Sequence, residues 1–281
     1  MCIQIEIIYQ AIEFMESQLR SHIMLAQIAE RCGYSLFYFI RTFNKVVHQT
    51  PYDYLITRRL SEALKMLCET DRRITDIALD FCFETPESFS RAFKRLFGIL
   101  PSLCRKEEIP ESVFPVPPKT LQDLQFINRN DFVLPEWVEF EEMSLVGLST
   151  EFTGWDQVKE IQQDGRLRTR LAGNSGGRKT EFFTVRSYTD NQWQHGYLFK
   201  GIETEKEMEI VPPITIQRIP SGLYARIFCR ETDQQAALNY LLYTWMPRMG
   251  CKLKHRFLVE EARENDRSRV NRSIKIPVLM I

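Results

Sequence analysis

The sequence predicts a multidomain chain: an all-α N-terminal domain with two helix-turn-helix units, followed by an α+β domain. Three observations carry this. Over the first hundred residues, apolar side chains recur at three- and four-residue steps, as in Ile5, Ile8, Ile12, Met15 and Leu19, the spacing of one buried helix face. Within that half a pattern repeats: Ile28-Ala29 recurs as Ile77-Ala78, Arg41-Thr42-Phe43 as Arg91-Ala92-Phe93 and Pro51 as Pro101, at offsets of 49, 50 and 50. Beyond about residue 130 the spacing changes to short runs rich in β-branched and aromatic residues.

Each copy of the repeat has the order that two helices joined by a tight turn require. The first is LAQIAERC, Gly33-Tyr34-Ser35, then LFYFIRTFNKV. Ala29 is small enough for a crossing helix to approach closely, Gly33 can take positive φ at the turn, and Ser35 can cap the second helix. Tyr34, Phe39 and Phe43 are assigned to the core, leaving Phe37, Tyr38, Arg41 and Lys45 on the outer face. Between the copies, YDYLITRRLSEALKMLCE contains no Gly or Pro and sets Leu60, Leu64 and Leu67 on one face of a rigid connecting helix. The second copy is ITDIALDFCFETPESFSRAFKRLFG, with Phe83, Phe89, Phe93 and Phe97 in the core. Thr85-Pro86 is its cap and first-turn pair, and Glu87, Ser88, Ser90, Arg91, Lys94 and Arg95 lie outside or on the flank.

Pro110, Pro115, Pro117 and Pro118 forbid a continuous helix or a central strand, which makes 109–130 a linker between a helical domain at 1–108 and an α+β domain at 131–281. Strands are predicted in VEFEEMSLVGLST, EFFTVRSY, GYLFKGIET, ITIQRIP, LYARIFCR and SIKIPVLMI, and helices around Trp155 to Leu171 and Gln234 to Met246. That interleaving suits helices packed on one face of a sheet, built from two similar halves.

The 37 basic and 37 acidic residues cancel, so any contact with a polyanion must come from charge sorted onto one face. Arg91, Lys94, Arg95, Arg105 and Lys106 follow Ser88 with no acidic residue until Glu107. The seven cysteines, an odd number without a CxxC, read as reduced thiols in a cytoplasmic protein. Glu6 and Glu13 break the apolar N-terminus and no basic segment precedes it, which excludes a signal peptide or membrane span. His22, His48, His195 and His255 have no metal-site spacing, and no cofactor motif, GxSxG or paired-carboxylate signature occurs. Arg166, Arg168, Arg170 and GNSGGRK lack Walker spacing and read as a solvated helix end and loop.

Leu25, Ile28, Ala29, Gly33, Arg41, Phe43, Arg59, Leu60 and Ala63 form the first part of a longer pattern. Ile77, Ala78, Phe83, Phe89, Arg91, Phe93, Lys94, Phe97, Gly98 and Pro101 complete it. Over residues 5–105 it resembles the arabinose-type (AraC/XylS) transcriptional regulators. The resemblance implies double-stranded DNA as partner, with two recognition helices in successive major-groove segments about 34 Å apart. By motif position Phe37, Tyr38, Arg41, Glu87, Ser88 and Arg91 then face base edges, while Lys45, Lys94 and Arg95 hold phosphates. The chain departs from the pattern at Cys82, where a turn glycine is usual, and at Ile40, Pro86 and Glu87.

IQRIPSGLYARIFCR, YLLYTWMPRMG and IKIPVLMI, within 136–281, resemble the gyrase-inhibitor-like effector-binding domains. This implies an aromatic pocket for a small-molecule effector, aromatic or cationic, lined by Tyr197, Tyr224, Trp245 and Phe257. The family's acid belongs near Phe257, where strict spacing gives Leu258 and the nearest carboxylate is Glu260. The leading reading is therefore a non-enzymatic, ligand-responsive regulator whose effector changes how the first domain engages DNA or RNA polymerase. Two others stay open: a constitutive regulator with a protein-contact module, and a DNA-binding protein whose pocket hydrolyses a small molecule.

Overall fold

The computed structural model describes residues 2–105, 110, 113–154, 156–158, 182–189, 195–204, 213–262 and 272–280. The chain divides into two compact units, Met1–Phe132 and Val133–Ile281. The helix expected over Trp155 to Leu171 lies outside the described residues apart from 156–158, which are helical, and so does the Arg166 to Lys179 segment.

The first unit contains α1 (Cys2–Ser17), α2 (Leu25–Arg31), α3 (Leu36–Val47), α4 (Pro51–Glu69), α5 (Ile74–Asp80), α6 (Pro86–Phe97) and α7 (Leu121–Ile127). Ile5, Ile8, Ile12 and Met15 of α1 are buried, as are Ile28, Ala29, Phe39, Phe43, Val46 and Val47 of the first repeat. Tyr34, expected in the core, is only half-buried and meets Tyr38 edge-on at 4.8 Å. The second repeat packs Ile77, Ala78, Phe81, Phe83, Phe89, Phe93 and Phe97 against Leu60, Ala63, Leu64 and Leu67 of α4. Helix α4 thus serves as a wall for the second copy, while its Tyr54 ring meets Phe43 of the first at 5.9 Å.

Arg58, on α4, gathers three parts of this unit. Its guanidinium takes Glu16 of α1 through Nε and Nη2 at 2.9 and 3.0 Å, takes Glu62 at 2.9 Å, and donates to the Val116 carbonyl. Tyr54 Oη also donates to Glu16, at 2.8 Å. Burial and that neighbouring carboxylate push the Tyr54 phenol well above its ordinary value.

Where it is described, the proline-rich segment read as a linker packs on the helical unit. Val113 enters the second-repeat core, the Val116 amide donates to Ser61 Oγ at 3.0 Å, and the Lys119 amide donates to Tyr54 Oη at 3.4 Å. Proline forbids helix, yet an extended chain can still lie in a groove and bury its apolar side chains. Thr120 and Asp123 then form a reciprocal cap that starts α7, which packs on α1 and α3. Asn128 closes the segment by donating to the Val46 carbonyl, at the end of α3, at 2.8 Å.

The second unit is an antiparallel sheet of β1 (Glu136–Phe140), β2 (Met143–Thr153), β3 (Phe182–Tyr188), β4 (His195–Glu203), β5 (Thr215–Ile219), β6 (Gly222–Cys229), β7 (Cys251–Leu253), β8 (Phe257–Ala262) and β9 (Arg272–Met280). Its order is β1-β6-β9-β8-β3-β4-β2-β5, with β7 pairing β9. The order reads as two four-stranded halves, β5-β2-β4-β3 and β1-β6-β9-β8, joined where β3 pairs β8. Helix α8 (Gln234–Tyr240) runs on through a π-helical turn at Leu241–Trp245 into Met246–Arg248, and packs on β6 and β9. Strands β7 and β8 are additions to the sequence reading. In β8, Leu258, Val259 and Glu260 are all buried, so the strand lacks the polar-apolar alternation of a half-exposed one.

Side chains alternate across the sheet, and the register sorts them onto two faces. One face carries Phe140, Leu145, Phe183, Val185, Phe199, Ile219, Tyr224, Phe257 and Val259 as a single cluster. Phe140 and Tyr224 come from one end of the strand order and Ile219 from the other, so the sheet curls with this face inward. Trp137 of β1 lies on the other face, where its ring meets Trp245 at 4.5 Å.

Candidate nucleic-acid interface and ligand face

The two repeats present their second helices in the same way. In α3, Ser35 Oγ accepts the Tyr38 amide, and in α6, Thr85 Oγ1 accepts that of Ser88 with Pro86 in the first turn. Gly33 takes φ 69° at the first turn, and Cys82 takes φ 60° at the matching turn of the second copy. The backbone there has glycine-like geometry although the residue is cysteine.

With Phe39, Thr42, Phe43, Val46 and Val47 turned inward, α3 exposes Phe37 (77%), Tyr38, Arg41 and Lys45. Asn44, which no repeat or motif position marks in the sequence, shares that face three residues after Arg41. Tyr38 Oη accepts from Gln4 Nε2 at 3.1 Å, so α1 orients this ring. On α6, Phe89, Phe93 and Phe97 turn inward and Glu87, Arg91, Lys94 and Arg95 are exposed. Ser88 is half-buried, and its Oγ donates to the Thr85 carbonyl at 2.8 Å, which commits the hydroxyl to the cap.

The ligand-site candidates separate by face. Tyr197 pairs Ser187 and Ser187 pairs Phe257, so these side chains point to the inner face with Tyr224. Tyr197 is 48% exposed and Phe257 half-buried, whereas Tyr224 is buried, 6.4 Å from Phe257 and 4.9 Å from Phe140. Tyr224 Oη donates to the Pro220 carbonyl at 2.8 Å, and burial pushes its phenol up to about 12. Trp245 and Glu260 do not share this face. Trp245 sits in the helix layer against Trp137, and Glu260 alternates with Val259 and Glu261 to face the helix side. There Glu260 is 1% exposed and forms an ion pair with Arg186, itself 0% exposed. Glu260, the nearest carboxylate by sequence, is thus buried on the side of the sheet away from Tyr197, Phe257 and Tyr224.

The inner-face carboxylate nearest Phe257 in the strand is the neighbour of Glu260, Glu261; Glu151, opposite Tyr197, and Glu136, opposite Arg226, lie on the same face. Glu261 pairs with Lys275 Nζ and accepts from Ser273 Oγ at 3.1 Å, and Lys275 Nζ lies 5.0 Å from the Phe140 ring centroid. Strand alternation held the signal that would have found it, since Phe257 and Glu261 are four residues apart and Phe257 and Glu260 are three. Among the described residues no group of three His, Cys, Asp or Glu side chains is placed to hold a metal, and no helix is long and apolar enough to cross a membrane.

Residues 18–107 match the family described as a helix-turn-helix domain, and 136–278 match that of the integron-associated effector binding proteins. Right origin-binding protein of Escherichia coli K12 is 30% identical over 169 residues, 59% of this chain and 55% of that protein. The chain thus spans about half the length of that relative. Regulatory protein SoxS of Salmonella typhimurium is 37% identical over 97 residues, 34% of this chain and 91% of that protein. An integron cassette protein from the mobile metagenome of Vibrio cholerae covers 53% of this chain and 97% of its own, with a TM-score of 0.37 at 12% identity. The chain belongs to the AraC-type helix-turn-helix regulators, and joins to that domain an effector-binding domain of the Cass2, gyrase-inhibitor-like family.

Proposed function

We propose that the chain is a sequence-specific DNA-binding regulator of transcription controlled by a small-molecule effector on the inner face of its second unit. The observation that carries the DNA reading is the matched pair of capped helices, each with an aromatic core face and an arginine at the same outward position, Arg41 and Arg91. Arginine can bond guanine O6 and N7 through two parallel donors, which gives these residues base-reading roles. Phe37 and Tyr38 offer apolar edges to thymine methyl groups, Glu87 can accept from cytosine N4, and Lys45, Lys94 and Arg95 neutralise phosphates. Ser88 acts through the cap rather than by touching a base.

For the effector, Tyr197, Phe257 and Tyr224 supply the aromatic wall, beside the Lys275–Glu261 pair. Binding there must favour one of two states of the chain to alter contact with DNA or RNA polymerase. The test is selection of genomic fragments on the purified chain at two salt concentrations, followed by Arg41→Ala and Arg91→Ala on the recovered site. Each substitution should weaken that site by about 1–3 kcal/mol and leave random DNA less affected. Equal losses on both DNAs would reduce the arginines to phosphate contacts, and retention of unrelated fragments would overturn sequence-specific reading.

A further inference from the structure

The inner face holds a carboxylate and an aromatic ring at the spacing that attracts a cation, and the chain's own lysine already fills the position between them. Lys275 lies in β9 with Val259 of β8 on one side and Arg226 of β6 on the other. Its side chain is 7% exposed, its ammonium is paired with Glu261, and the Phe140 ring lies 5.0 Å away. Ser273 Oγ holds the second carboxylate oxygen. The neighbouring cation is satisfied in the same way, since Arg226 bonds Glu136 through Nε and Nη2 at 2.9 and 2.6 Å and covers the Phe228 ring at 5.0 Å. Both acids in this part of the face are therefore neutralised internally.

We propose that Lys275 is a tethered cation occupying the acidic subsite of this face, so that the chain selects neutral aromatic ligands over aromatic cations. This rests on the reading of the inner face as the effector site. A side chain anchored to the strand competes at an effective concentration that a free ligand must match, and a cationic ligand must also displace a like charge. A neutral aromatic needs only Tyr197, Phe257 and the edge of the cluster, and leaves the Lys275–Glu261 pair in place.

The experiment uses the full chain and two probes of the same shape, benzyltrimethylammonium and its uncharged carbon isostere neopentylbenzene, titrated by calorimetry. Wild type is expected to favour the neutral probe. Lys275→Met should shift the ratio of the two affinities at least tenfold toward the cation, and adding Glu261→Gln should abolish the shift. Lys275→Gln, which keeps a donor for Glu261 without the charge, provides the same comparison if the methionine variant fails to fold. An unchanged ratio, with the neutral probe still bound, would overturn the role of Lys275 and leave the effector face standing. Failure of every chain to bind either probe would remove the face itself as a ligand site, and the inference with it.

Discussion

Glu260→Gln separates a structural carboxylate from a ligand-binding one. Glu260 and Arg186 are 1% and 0% exposed beneath the helix layer, so neither charge can recover hydration if its partner is neutralised. Removing one member of a buried pair costs about 3–5 kcal/mol, and the lower figure suits glutamine, which preserves volume and hydrogen bonding. For a unit of this size each kcal/mol moves the melting midpoint by roughly 2–4 °C, so a loss of about 6–12 °C is expected. Tryptophan fluorescence is the right probe, because Trp137, Trp155, Trp193 and Trp245 all fall in the second unit and the helical unit is silent. Arg186→Met alone should be comparably damaging, while Arg186→Met combined with Glu260→Leu should melt above either single variant, since no uncompensated charge remains. A Glu260→Gln midpoint within 1 °C of wild type, or strictly additive losses in the double variant, would refute the assignment of this pair to the core.

Gly33→Ala should destabilise the helical unit by about 1 kcal/mol in a circular-dichroism melt, as backbone strain alone, because φ is 69° and a Cβ there would meet nothing within 4 Å. Arg58→Met should cost about 2–3 kcal/mol and make residues 113–119 newly sensitive to protease; the half-buried Glu16 and Glu62 can rehydrate, which keeps the loss below that of a fully buried pair. Burial pushes Cys229 up to about 12 and Cys104 and Cys251 to about 11, from an ordinary 9.0. Folded thiol pKa values above the unfolded one mean that this stabilisation is complete below pH 9 and is lost as pH rises through 11–12, so the melting midpoint should decline over that window. At pH 8 these three thiols should react with an aromatic disulfide reagent only after unfolding, and reaction in the native protein would contradict their burial.

The helical half was legible because its signals are local. Ala29, Gly33, Ser35 and the 3.6-residue spacing of Phe39 and Phe43 each act within a turn or two, and the structure uses the last three as read. Cys82 shows the limit of letter matching, since the turn keeps its positive φ without the glycine that usually marks it. The inner face was harder because a strand residue's direction depends on register with partners distant in sequence. RFLVEEA contains two adjacent acids, and a step of one residue sends the carboxylate through the sheet, so Glu260 enters the core and Glu261 the face. Trp245 matched the aromatic composition of a pocket, but composition does not say which layer a helix joins. The prolines at 115, 117 and 118 correctly excluded helix there, yet carried no information about Val113 and Val116, which fix that stretch through burial and backbone hydrogen bonds.

The bond from Asn128 to the Val46 carbonyl has a mechanical meaning. Together with α7 it fastens the outgoing chain to α1 and α3, while Val113, earlier in the same segment, is anchored in the core around α6. Tension on the chain beyond Phe132 therefore loads α7 and the end of α3 first, and reaches the Val113 anchor in the second-repeat core only after them. Under the DNA-binding reading proposed above, α3 is thus the helix whose footing a pull on the chain alters first.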